Sequence, residues 1–285
     1  MPFLPGQIVQ ATPGVQGFDT TTHLSVAAAT AFRQSGFGFC VRYLSRTSPQ
    51  AAGDLSHAEA QAILAGGLGL MVVQHAMRAG WLPGAARGAQ YGTTAATNAQ
   101  TVGLPPGLLV WLDLEGVRGG VDSADVIAYC NAWFAPVAAA GYVPGLYVGA
   151  NCGLDGDALY WRLQTRHYWR SGSDVPDLPH RGYQLVQRVN TAPDVVNGIA
   201  IDRDVTYGDA FGDAVSWLAR PRRVDVGLRR QPVHVAQDPS RRTRCVHQNT
   251  NCGHGDATAV VGCWPKAIDA PPHVAGMLRR AAVAV

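Results

Sequence analysis

The sequence predicts an α/β protein, a small (β/α)8 barrel with an appended C-terminal tail, and three observations predict it. Short apolar runs alternate with helical segments through most of the 285 residues, the pattern of a parallel sheet covered by helices. Eight such runs fall within roughly 200 residues, enough for a barrel of minimal size. Carboxylates stand where several of these runs end, most clearly in Leu108–Glu115, where an apolar strand leads into Asp113 and Glu115.

Val15–Asp19 reads as the first strand, after a loose start rich in Pro and Gly. Ser25 suits the N-cap of a helix running to Gly36, whose missing Cβ suits a helix end. Phe39–Tyr43 is the second strand, and Ser56-His57-Ala58-Glu59 has the form of a capping box opening a helix that stops near Gly66. Leu70–Gln74 is the third strand, Tyr91–Val102 an Ala- and Thr-rich helix, and Leu108–Asp113 the fourth strand. The fourth run is apolar enough to be buried on both faces. Val126, Cys130, Trp133, Phe134 and Val137 recur at helical spacing between Ser123 and Ala140. Pro144–Val148 is the fifth strand, with a helix around Asp155–Leu163. His167–Arg170, Tyr183–Gln187 and Gly198–Asp202 are the sixth to eighth strands, and Gly208–Ala219 closes as a helix. The sixth unit shows no convincing helix, so irregularity is expected there.

Composition bounds the rest. From Arg220 onward there are ten Arg and one Lys against four Asp, a net of +7, which leaves 12 basic and 16 acidic groups before it. The overall +3 therefore belongs to the tail and says nothing of the main domain's partner. We place a barrel domain at 1–219 and a basic, Cys-containing, poorly ordered tail at 220–285. Cys40, Cys130 and Cys152 sit singly in apolar segments and read as buried thiols. Cys245, Cys252 and Cys263, with His247 and His254, fit no standard zinc-finger spacing. No apolar run reaches the roughly 18 residues of a membrane span, and residues 1–16 show neither a basic start nor an apolar core, so no leader is expected. A solvated tail is preferred to a nucleic-acid or membrane contact, and a monomer is expected.

The strand assignment places Asp19, Asp113, Glu115, Asp202 and Asp204 at the C-terminal ends of strands one, four and eight, the face where barrels of this type build active sites. Alternate residues of a strand point the same way, so Asp113 and Glu115 share a side. Tyr43, Tyr147, Tyr168 and Trp169 at comparable positions offer flat, partly polar surfaces suited to sugar rings. Such acids also serve as helix caps, ion-pair partners for Arg42 or Arg203, or ligands of a hard cation; the absence of His among them argues against catalytic zinc.

Gly17-Phe18-Asp19, Trp111-Leu112-Asp113-Leu114-Glu115, Gly141-Tyr142-Val143-Pro144-Gly145-Leu146-Tyr147, Tyr183-Gln184-Leu185-Val186-Gln187 and Ile201-Asp202-Arg203-Asp204 follow one another as in glycoside hydrolase family 25 lysozymes. With Val41-Arg42-Tyr43-Leu44 and His167-Tyr168-Trp169 added, the chain more closely resembles the bacterial glycoside-hydrolase-like domains of unknown function 1906. The resemblance covers about residues 14–218. It implies Glu115 as the general acid, Asp113 as the carboxylate stabilising the anomeric centre, and Asp19 and Asp202 as supporting acids. Asp204, Arg42, Tyr43, Gln74, Tyr147, Tyr168, Trp169 and Gln187 are the candidate substrate contacts. Asp204 is a departure, since the lysozymes more often carry an amide there. The implied activity is cleavage of β-1,4 linkages in peptidoglycan without a cofactor or metal. The alternatives are a non-catalytic cell-wall-binding domain on the same scaffold and a metal-dependent phosphodiester hydrolase.

Overall fold

A computed structural model describes residues 2–188 and 194–220. The expected tail, its cysteines included, lies outside them. Eight strands close into a barrel in the order β2 (Gln16–Asp19), β3 (Phe39–Leu44), β4 (Gly69–Gln74), β5 (Leu109–Leu114), β6 (Val143–Val148), β7 (Tyr168–Arg170), β8 (Leu185–Arg188) and β10 (Ile199–Thr206). The first seven are parallel, and β9 (Asp194–Val196) pairs antiparallel with β10 off the barrel path. Five helices, α1 (Val26–Gln34), α2 (His57–Ala65), α3 (Ala85–Val102), α4 (Ser123–Ala139) and α5 (Gly156–Arg162), fill the first five crossovers. No helix joins β7 to β8, so the irregularity expected at the sixth unit is found. No helix among the described residues is long and apolar enough to cross a membrane.

Two apolar layers follow from the period-2 alternation of the strands. Outward-facing residues such as Cys40, Leu70, Val110, Leu112 and Leu146 pack beneath the helices with Phe32, Ile63, Trp133 and Phe134. Inward-facing Phe39, Val41, Met71, Val73, Leu109, Trp111 and Trp169 fill the barrel. Burying each large side chain of this kind contributes about 1.5–3 kcal/mol. Glycine makes room for the inner layer: a Cβ at Gly17 would stand 2.2 Å from the Phe39 ring, and one at Gly145 would stand 2.5 Å from Trp111.

Four expectations are corrected. The segment expected as a closing helix, Gly208–Ala219, is a loop followed by β11 (Ser216–Ala219). β11 pairs antiparallel with β1 (Gln7–Gln10), within the start expected to be loose. Trp217 stacks on Phe39 with centroids 5.1 Å apart, so filling the barrel floor outweighs local helix preference. The eighth strand, β10, is longer than expected and runs antiparallel to both neighbours, β2 and β8. Asp202 therefore pairs with Asp19, while Asp204 pairs with Gly17, one step deeper. The capping box at Ser56 is half formed. Ser56 Oγ accepts from the Glu59 N–H at 3.1 Å, but the Glu59 carboxylate turns to the Arg42 guanidinium at 2.7 Å and the Leu24 N–H at 2.9 Å.

Candidate active site

The acids meet in a polar pocket of about 220 Å³ lined by Tyr43, Val73, Asp113, Glu115, Tyr147, Trp169, Gln187 and Asp202. Asp113 is the last inward residue of β5, above Trp111 and Leu109. Glu115 continues the strand: its carbonyl accepts from the Trp81 indole at 2.7 Å, and the following Gly116 N–H donates to Ala150 O at 2.8 Å. A Cβ at Gly149 would stand 2.6 Å from Glu115 Oε2, so this glycine provides room for the carboxylate rather than an unusual backbone angle.

Asp19 is the hub beneath the pocket. Its Oδ1 accepts from Tyr43 OH at 2.7 Å and its Oδ2 from Gln187 Nε2 at 2.8 Å. Gln187 Oε1 in turn accepts from Tyr147 OH at 2.9 Å, which fixes the amide orientation. Below them Asp204, fully buried, accepts from Trp169 Nε1 at 2.9 Å through Oδ1. Its Oδ2 is buried and meets no hydrogen-bond partner.

Burial sets the protonation of this set. It raises the Asp19 pKa to about 6, against the lowering effect of its Tyr43 and Gln187 hydrogen bonds. It raises Asp204 well above the ordinary carboxylate value, with the Asp19 charge adding to the effect. Asp113 is also raised well above that value, by burial first and then by the Glu115 and Asp19 charges, while Arg46 opposes the shift. Burial raises Glu115 as well. Exposed at the rim, Asp202 is raised by partial burial and the Asp194 charge. Asp113 and Glu115 are thus placed to hold one proton between them, and Asp113 Oδ1 is buried without a hydrogen-bond partner.

The expected substrate contacts divide by strand parity. Tyr43, Tyr147, Trp169 and Gln187 face the pocket, and Asp204 lies beneath it. Arg42, Gln74 and Tyr168 are not brought to it, because they are the outward residues of their strands. Arg42 is buried against Glu59 and also donates to Thr20 O. Gln74 bridges Ser45 O, Tyr91 O and the Trp133 indole. Tyr168 OH donates to Leu159 O at 2.6 Å. These three tie the barrel wall to its surroundings.

Several residues near the mouth were not singled out from the sequence. His75 stacks on Tyr43 with centroids 4.6 Å apart, and its Nε2 meets Asp54 Oδ1 at 2.7 Å. Trp81, Gly149 and Arg46 are the others. The available signal was position: each follows a strand at its C-terminal end. Among the described residues no group of three or more His, Cys, Asp or Glu is arranged to hold a metal ion.

Residues 30–208 match the family model described as the Rv2525c-like, glycoside hydrolase-like domain. Among solved structures, the Tat-secreted protein Rv2525c of Mycobacterium tuberculosis is similar at 16% identity and a TM-score of 0.51, over 71% of this chain and 99% of that one. An uncharacterized protein of B. stearothermophilus gives 19% identity and a TM-score of 0.48 over 68% of this chain and 96% of that one. A family 25 glycosyl hydrolase of Bacillus anthracis gives 14% and 0.45 over 71% and 94%. No curated protein matches the chain.

Proposed function

Because the chain belongs to the Rv2525c-like, glycoside hydrolase-like domain family, we propose that it cleaves β-1,4 linkages of an amino-sugar polymer such as peptidoglycan. Glu115 is the general acid, Asp113 the stabilising carboxylate, and Asp19 and Asp202 their support. The observation that carries this reading is the pair Asp113–Glu115, both raised in pKa in one polar pocket. Glycoside cleavage asks for a carboxyl group protonated near neutral pH beside one that is ionised.

The unpartnered Asp113 Oδ1 suggests how the proton is apportioned. Without a donor there, the more deeply buried Asp113 holds it. An amide N–H of the substrate's N-acetyl group placed on Oδ1 stabilises the ionised form of Asp113. The shared proton then rests on Glu115, which delivers it to the leaving glycosidic oxygen. Asp113 holds the acetamido group towards the anomeric carbon, where positive charge develops. Tyr43 and Tyr147 keep Asp19 and Gln187 fixed beneath the reacting centre.

Release of reducing ends from purified peptidoglycan by wild type and Glu115→Gln tests the assignment. The variant should lose roughly 10²–10⁴-fold in rate, the usual worth of a general acid, while keeping its melting temperature. Equal rates for the two proteins would place the chemistry elsewhere. Binding without release by either protein would favour a carbohydrate-binding domain on a hydrolase scaffold.

A further inference from the structure

The floor of the barrel, at the strand starts and away from the carboxylate pocket, holds a larger cavity. Val9 of β1, Trp217 of β11, Val15, and the glycines at the starts of β3 and β4, Gly38 and Gly69, enclose about 770 Å³ there. The carboxylate pocket measures about 220 Å³. Small-molecule sites usually occupy about 300–1,000 Å³ and combine apolar walls with a few placed polar groups. The floor cavity has that composition.

Its polar groups are of one kind. No Asp or Glu lines it. Its charged residues are Arg33 and Arg220, both exposed, and neither pairs with a carboxylate among the described residues. Arg33 is held in place, because its Nη1 donates to Phe37 O at 3.2 Å; a guanidinium has five N–H donors, so most of the fork stays open. Trp217 is nine-tenths buried, yet its indole N–H donates to none of the described residues. The indoles of Trp81, Trp133 and Trp169 donate to Glu115 O, Gln74 and Asp204, as buried indoles ordinarily do. A Cβ at Gly69 would stand 2.7 Å from Trp217 Nε1, so glycine keeps the N–H edge of the ring clear. An unpaired buried donor and two unpaired cations around an apolar wall suit an acceptor that carries negative charge.

We propose that the floor cavity binds a free amphipathic carboxylic acid. The apolar body packs on Val9, Val15 and the Trp217 ring, and the carboxylate accepts from the Trp217 indole within the positive field of Arg33 and Arg220. The inference does not depend on the glycosidase reading. The competing role for Arg33 is local: it lies in the last turn of α1, where a cation complements the helix dipole.

Fluorescence titration of the full chain with anilinonaphthalene sulfonate, an apolar body with one anionic group, and with neutral phenylnaphthylamine tests the site. The anionic dye should bind roughly 10-fold more tightly, as a charge-assisted hydrogen bond provides. Decanoate should displace it and shift the Trp217 indole N–H resonance. Arg33→Gln should abolish the preference between the dyes. Val9→Glu, on an exposed strand position that tolerates the change, should weaken the anionic dye by roughly 10-fold through like-charge repulsion. No binding by wild type, or anionic-dye affinity unchanged in both variants, would overturn the inference. So would an Arg33→Gln variant that melts earlier but keeps the preference, which would assign Arg33 to the helix end. Displacement of the dye by phosphatidylglycerol vesicles and not by decanoate would identify a membrane surface instead, and overturn it equally.

Discussion

Asp19 and Asp204 face each other across the β2–β10 seam, and burial lets the pair carry one negative charge rather than two. A protonated Asp204 is nearly an amide in its hydrogen bonding. It differs from an amide in its response to pH. Below the ordinary carboxyl value of 3.8, both folded and unfolded chains hold the proton. As pH rises above it, the unfolded chain releases the proton while the raised native group keeps it, so the native state loses stability. Asp204→Asn removes that loss. The variant should match wild type in melting temperature near pH 4 and exceed it by an increasing margin towards pH 7; a margin that is constant with pH would show that Asp204 ionises normally in the fold. At this scale the sequence was informative about acids and less so about their neighbours. The run into Asp113 and Glu115 marked the polar pocket, whereas Arg42, Gln74 and Tyr168 were grouped with residues of opposite parity. Counting alternation from Val41 or Val73 would have sent them outward, to partners such as Glu59 and Trp133 that lie far away in sequence.

Among the elements, α3 shows why a weakly apolar helix can pack so closely. Gly88 and Gly92 lie one turn apart, and a Cβ on them would stand 2.1 Å from Tyr129 O and 2.3 Å from Trp133 O on α4. The two backbones are close enough that only glycine fits between them. Gly92→Val should therefore destabilise the fold by roughly 2–3 kcal/mol, the cost of overpacking a tight interface, as measured by denaturant titration. A loss below about 0.5 kcal/mol, the usual effect of a surface change, would mean that the helices separate freely. The Ala- and Thr-rich composition of this stretch made a helix legible and concealed its first six residues, where Arg87 and Gly88 interrupt the pattern. The first seven barrel strands were legible because their apolar runs are short and bounded. β11 was not, because Ser-Trp-Leu-Ala has no period of its own, and its conformation is set by β1 and Phe39. The direction of β10 was equally hidden, since alternation reads the same from either end.

For the molecule as a whole, closure joins distant parts of the chain. β2 pairs with β10, and Asp19 receives its hydrogen bond from Gln187, 168 residues later. The α3–α4 pair needs only a local stretch. Long-range pairings form after local ones because their loops cost more entropy to close. In refolding followed by pulsed hydrogen exchange, amides of α3 and α4 should gain protection before those of β2 and β10; simultaneous protection throughout would show that closure is part of the first event. Sequence reading reached the barrel because alternation and spacing are local properties, and it could not reach the seam, which is not. During synthesis at 5–20 residues per second, the interval between Asp19 and Gln187 leaving the ribosome is on the order of 10–30 s. Throughout that time the nascent chain carries Asp19, and later Asp113 and Glu115, without the amide that orients the hub beneath them, so the pocket is among the last features of the barrel to exist.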